Sequence, residues 1–170
     1  MTAAPFPFAE SARLRALRAS GLLESGADPR LDAIVRRAAA MFGVPIAAIS
    51  LLDRTTQHFK ASVGLGVPHT SREVAFCGYV ILYNAPLMVP DALGDPRFAD
   101  NPLVLGAPGI RFYAGAPVHG PEQRPLGALC VLDTNAHVFI PPGLIDVLSG
   151  MAAEVTALFA APRGRPADVS

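Results

Sequence analysis

The chain has 170 residues, enough for one domain with a real core. Hydrophobic residues make up 51% and charged residues 16%, which excludes a disordered, solvated chain. Fourteen basic residues balance fourteen acidic ones, so no charge excess suits a nucleic-acid backbone or an acidic membrane surface. The longest apolar run, residues 44–52, is too short to span a bilayer. The N-terminal residues lack the charged and apolar regions of a signal peptide. Cys77 and Cys130 are isolated in sequence, so no disulfide framework is expected and a cytoplasmic location is the default.

In chain order, residues 1–10 read as a loose lead-in. A first helix is expected from Ser11, with Leu14, Leu17 and Leu22 on one side and Arg13, Arg15 and Arg18 elsewhere; Gly21 weakens it and Ser25-Gly26 ends it. Asp28-Pro29 then supplies an N-cap with proline at the first helical position. Leu31, Ile34, Val35, Ala38 and Phe42 follow with helical spacing, and Gly43 with Pro45 stops that second helix. Residues 46–52 are a continuous apolar strand. After a turn at residues 53–56, residues 57–63 return as its antiparallel partner, with Phe59, Ala61 and Val63 expected inward.

Residues 65–110 are rich in Pro, Gly and Asp and carry short pieces only: a helix at 76–82, a strand at 87–89, a helical turn opened by Asp95-Pro96 and a turn at Asn101-Pro102. So long a connection inside a compact domain reads as a functional lid. Residues 109–133 then form a hairpin, with strands at 111–118 and 126–132 around a polar turn. Phe112, Ala114, Ala116 and Val118 point one way and Tyr113, Gly115 and Pro117 the other. Leu126, Ala128, Cys130 and Leu132 share a face, and Leu129 and Val131 its reverse. An antiparallel pair that is apolar on both sides has to be covered twice, by helices on one face and by the lid on the other. Loops lying over a sheet leave a pocket.

The last helix follows Pro141-Pro142. Leu144, Leu148, Met151, Val155 and Leu158 form one stripe, and Ile145, Ala152 and Phe159 a second. Two stripes are more than one sheet face requires, which points to a homodimer through the terminal helices. Residues from Ala161 onward read as a flexible tail or linker.

These elements resemble a GAF domain. The matching pieces are Phe42-Gly-Val-Pro-Ile, Ser50-Leu-Leu-Asp-Arg, Phe59-Lys, Ser71-Arg-Glu-Val-Ala-Phe-Cys77, Val89-Pro-Asp-Ala, Asp95-Pro-Arg-Phe-Ala-Asp-Asn-Pro-Leu-Val, Gly109-Ile-Arg-Phe-Tyr-Ala-Gly-Ala-Pro and Leu126-Gly-Ala-Leu-Cys-Val-Leu-Asp. The likeness is to the GAF domains that precede bacterial histidine kinases and diguanylate cyclases. It implies an α/β (α+β) fold in which a central antiparallel sheet carries a helical layer on one face and a loop and short-helix lid on the other. The implied division is a lead-in and helix at 1–21, the sensor domain at 22–160 and a tail at 161–170. Where the family often has Ala-His after Phe-Cys, this chain has Gly78-Tyr79. The Cys-His pair and Asp-Ile-Pro segment of bilin-binding members are missing, as is the Asn-Lys…Phe…Asp-Glu signature of cyclic-nucleotide members. The fold is shared by domains with different ligands, so the resemblance names neither ligand nor cofactor.

Candidate ligand-binding residues gather around the lid: Cys77, Tyr79, Asp91, Arg97, Phe98, Asp100, Asn101, Arg111 and Tyr113. Arg111 suits bidentate contact with a carboxylate or phosphate. The competing structural reading has Arg97 and Arg111 paired with Asp91, Asp95 or Asp100 to pin the lid. Cys77 reads as a reactive thiol at a helix start or as a small buried hydrophobe, and Cys130 as packing. His58, His69, His119 and His137 have no metal-ligand spacing, and no catalytic triad or phosphate loop stands out. The expected function is a sensory domain without catalysis of its own, relaying small-molecule or partner binding to a histidine kinase or diguanylate cyclase. The alternatives are a thiol-dependent reductase of the free-methionine-sulfoxide type, with Cys77 as nucleophile, and a ligand-free dimerisation module.

Overall fold

The computed structural model describes residues 3–161; the expected tail therefore lies almost wholly outside the described residues. Six strands form one antiparallel sheet in the order β3-β2-β1-β6-β5-β4. They are β1 (Ile46–Leu52), β2 (Thr56–Val63), β3 (His69–Ser71), β4 (Leu87–Val89), β5 (Phe112–His119) and β6 (Pro125–Asp133). Helices α2 (Pro29–Phe42) and α5 (Leu144–Ala160) cover one face, whereas α3 (Cys77–Tyr83), α4 (Pro102–Leu105) and the loops around them cover the other. Helix α1 (Glu10–Ser20) closes the end of the sheet, with Leu17 against Leu51 and Leu126. This is the α/β arrangement implied by the doubly apolar hairpin.

Local chemistry accounts for most boundaries. Asp28 accepts a hydrogen bond from the Arg30 N–H at 2.9 Å, Pro29 opens α2, and Gly43 in the left-handed region closes it. Strand β1 is buried along its whole length because both of its faces are covered. In the central hairpin Phe112, Ala114, Ala116 and Val118 join Leu129 and Val131 under the helices, and Tyr113 joins Ala128 and Cys130 under the lid, as the alternation predicts. Gly127 sits where β6 meets β1 so closely that a Cβ there would lie 1.7 Å from the Ser50 carbonyl oxygen.

Several expectations are corrected. Gly21 does not weaken a longer helix; it ends α1 in the left-handed conformation, and its N–H bonds to the Arg18 carbonyl. Phe59 does not share a face with Ala61 and Val63. A bulge at Lys60 sets Ser50 opposite Phe59 and Ile49 opposite Ala61, which turns Phe59 toward the lid and leaves the other two under the helices. Asp95-Pro96 opens the single helical turn expected of it, with the Ala99 N–H on the Asp95 carbonyl at 2.9 Å, whereas Asn101-Pro102 is more than a turn and caps and starts α4. The second stripe of α5 has a partner within the chain: Ala152 is buried and Ile145 and Phe159 pack against the core under the sheet. The surplus apolar surface from which a dimer was expected is thus covered from inside.

Arg13, placed away from the apolar side in sequence, is buried to 1% exposure. Its guanidinium gives Glu10 two hydrogen bonds, of 2.9 and 2.8 Å, and Arg72 reaches the same carboxylate at 2.5 and 3.3 Å. Arg72 also donates to the Asp53 carbonyl at 3.0 Å. This Arg–Glu–Arg cluster ties α1 to the β1–β2 turn and to the start of the lid. Burial alone would raise the Glu10 pKa, but the hydrogen bonds from Arg13 and Arg72 hold it at about 2.

Candidate functional site

Between sheet and lid lies a cavity of about 440 Å³, within the range of small-molecule sites. Its walls come from elements far apart in sequence: Ile46 of β1, Gln57 and Phe59 of β2, the 64–67 loop, Phe76 and Cys77 at the start of α3, Leu103 of α4, the 107–110 segment, Tyr113 of β5, and Cys130 and Leu132 of β6. The Lys60 bulge matters here, because without it Phe59 would face the helices. Gly64 matters as well: it has φ +78°, and a Cβ would stand 2.1 Å from the Pro45 carbonyl oxygen, so only glycine lets the loop turn over the cavity mouth.

Among the described residues no Asp, Glu, Lys or Arg lines the cavity. Its polar groups are few. Gln57 donates from Nε2 to Thr70 Oγ1 at 3.0 Å, and His69 lies beside them. At the floor, Cys77 Sγ and Tyr113 Oη are 3.0 Å apart. The Cys77 thiol is held below its ordinary pKa, chiefly by a hydrogen bond from Cys130 and further by Ser50 and Tyr113, against the opposing effect of burial. Burial and the neighbouring sulfurs push the Tyr113 hydroxyl well up, so it stays protonated and able to donate. The Cys130 thiol is likewise pushed up, first by its bond to Cys77 and then by burial.

Of the nine residues picked from sequence, Cys77 and Tyr113 line the cavity. Tyr79 and Phe98 lie behind them as packing: Phe98 stacks on Phe76 with ring centroids 4.1 Å apart, and Tyr79 meets Phe98 edge-on at 5.3 Å. Arg97 lies over both rings and pairs with Asp95 at 2.7 Å, which lowers the Asp95 pKa. Asp91 caps a short turn through the Leu93 N–H, and with Asp95 and Arg97 it borders a shallow depression outside the cavity. Asp100 is exposed. Asn101 is buried, accepting from the Leu103 N–H and donating to the Val74 carbonyl. Arg111 donates to the Val104 and Ile110 carbonyls at 2.8 and 3.1 Å, joining α4 to the edge of β5. The Arg97–Asp95 ion pair is thus local, within the lid, and Arg111 ties α4 to the start of β5 through carbonyls instead of a carboxylate. Sequence reasoning missed Gln57, Phe59, the 64–67 loop, His69 and Cys130 as cavity walls. The signal at hand was Gly64, which marks close backbone approach. Among the described residues no group of three or more His, Cys, Asp or Glu could hold a metal ion, and no helix is long and apolar enough to cross a membrane.

Comparison with known proteins places this geometry. Over 133 residues the chain is 47% identical to a cyclic di-GMP phosphodiesterase of Pseudomonas aeruginosa; the match takes in 78% of this chain and only 23% of that protein. Among solved structures it is similar to the GAF domain of a phosphoenolpyruvate-protein phosphotransferase from Acinetobacter, with TM-score 0.63 and 23% identity over 88% of this chain and 93% of that one. It is equally similar in shape to the free methionine-R-sulfoxide reductase of Neisseria meningitidis, with TM-score 0.62 and 16% identity over 94% and 96% of the two chains. At such identities these likenesses describe the fold alone. The family model for the GAF domain matches residues 27–158, and with the six-stranded sheet and its lid in view the chain belongs to the GAF domain family.

Proposed function

We propose that this GAF domain acts as a regulatory sensor without catalysis of its own, whose ligand is a small, uncharged and largely apolar molecule held between sheet and lid. The observation that carries this reading is the cavity of about 440 Å³ lined, among the described residues, by no Asp, Glu, Lys or Arg. A charged ligand would lose its hydration there without a counter-charge, at a cost of several kcal/mol or more. A neutral ligand needs only the Gln57–Thr70 pair, His69 or the Tyr113 hydroxyl for orientation. The output follows from connectivity. The lid rests on β5 and β6, and α5 packs against the same strands from behind, so a ligand that shifts the lid moves the base of α5.

A histidine kinase or diguanylate cyclase is the proposed partner for that output, and likeness to a part of a cyclic di-GMP phosphodiesterase supports the cyclic-dinucleotide side. A homodimer through the terminal helices is a proposal carried by the exposed strip Val147, Gly150, Ala153 and Ala157 of α5. Sedimentation equilibrium at micromolar concentration tests it, and a lone 17.8 kDa species refutes it. Native mass spectrometry of freshly purified protein, followed by titration with neutral and charged compounds of similar size, tests the ligand class. A neutral apolar molecule should co-purify or bind; saturable binding of charged compounds alone would overturn the reading.

A further inference from the structure

Cys77 and Cys130 lie 53 positions apart in sequence, on α3 and β6, and the fold brings both to the floor of one cavity. Both are free thiols, each 2% exposed over the residue as a whole, yet each contributes to a wall that a small molecule can reach. Both residues belong to one buried cluster, in which α3 packs directly against β6. The Tyr113 hydroxyl of β5 lies 3.0 Å from the Cys77 sulfur, and burial keeps it protonated and able to donate. Packing alone does not require this. A sulfur serving only as filler would be met by carbon.

We propose that Cys77 and Cys130 form a dithiol site for hydroperoxides, in which Cys77 is the attacking sulfur and Cys130 the resolving one, independent of whichever ligand the cavity takes. The Cys77 thiolate attacks one peroxide oxygen and the O–O bond breaks. The departing alkoxide takes the proton that Cys77 gave up and leaves as an alcohol, with Cys77 as the sulfenic acid. The Cys130 sulfur then attacks the Cys77 sulfur and the S–O bond breaks. Hydroxide departs and leaves as water with the Cys130 proton. In sum, two thiols lose two electrons and two protons to form one disulfide, and the hydroperoxide is reduced to alcohol and water.

The environment assigns the order of attack. The Tyr113 hydroxyl 3.0 Å from the Cys77 sulfur favours the anion there, and the Cys77 thiol pKa is lowered while that of Cys130 is pushed well up. The cavity, uncharged and apolar, suits an organic hydroperoxide. A bridge between α3 and β6 would tie the lid to the sheet, so oxidation would act on the element that a ligand moves.

The test treats the whole chain with cumene hydroperoxide and reads intact mass and maleimide labelling after denaturation. The expected result is the loss of two hydrogens from the monomer, the disappearance of both labelling sites, and reversal of both by dithiothreitol. Cys130→Ser should stop at a single added oxygen that dimedone captures, and Cys77→Ser should leave Cys130 reduced. Both thiols still labelled in the wild-type chain, a covalent dimer, or Cys77 carrying two oxygens while Cys130 stays labelled would each overturn the proposal. Oxidation of Cys130 in Cys77→Ser at the wild-type rate would overturn the assigned order. The wild-type arm decides the pairing without any variant, and circular dichroism shows whether the serine variants keep the fold.

Discussion

Replacing Glu10 with Gln should cost the domain about 3 kcal/mol. The carboxylate accepts four hydrogen bonds from two guanidiniums, and the Arg13 side chain has 1% exposure and that of Arg72 7%. The gap between the ordinary Glu value of 4.5 and about 2 corresponds to ~3 kcal/mol at full strength. The cluster sits at the edge of the molecule, so solvent screening reduces that to ~1.5 kcal/mol. Glutamine leaves two cations facing each other without their shared anion, and the ~3–5 kcal/mol lost when a fully buried pair is broken bounds the same loss from above. A loss near 3 kcal/mol, between these two bounds, corresponds to a fall in Tm of roughly 6–12 °C for a domain of this size. The pH dependence has a definite sign. Because the folded pKa lies below the unfolded one, the stabilisation is fully present above about pH 4.5 and is lost as pH falls toward 2. Urea unfolding of both proteins across that window reads both effects. A Gln variant within ~0.5 kcal/mol of wild type at pH 7, or one with the wild-type slope between pH 4.5 and 2, would refute the anchoring role of the cluster.

Arg111→Ala should cost about 2 kcal/mol, since it removes charge-assisted bonds to the Val104 and Ile110 carbonyls; a melting curve identical to wild type would show that α4 needs no such tie. Cys77→Ser should keep the fold to within ~1.5 kcal/mol and leave the affinity for a neutral ligand within about tenfold, measured by calorimetry, and a complete loss of binding would make the sulfur a ligand contact. Gly127→Ala should be severe, about 3 kcal/mol or more, because the added methyl meets fixed backbone at Ser50 and Leu51; a variant as stable as wild type would mean β1 and β6 can separate freely.

Sequence by itself determined the frame. The stripe from Leu31 to Phe42, the Asp28-Pro29 cap and the Gly43 stop are interactions within a few residues, and α2 begins and ends where they say. The doubly apolar strands demanded two covers, because side-chain alternation is a property of the backbone itself. The tertiary structure decided what depends on one segment meeting another. Whether Lys60 bulges depends on its partner strand, and that bulge alone sends Phe59 into the cavity. Arg13 looks like any surface arginine until Glu10 and Arg72 meet it, and the second stripe of α5 looks surplus until it packs on the core under the sheet. The polar residues clustered in the lid sequence turned out to lie outside the cavity, Arg97 paired locally with Asp95 and Arg111 tying α4 to β5 through carbonyls. The cavity was left to Cys77, Tyr113 and Cys130, to Gln57, His69 and Thr70, and to apolar walls. Local pattern can say that a buried face exists; only the packing of distant segments sets which side chains share the space upon it.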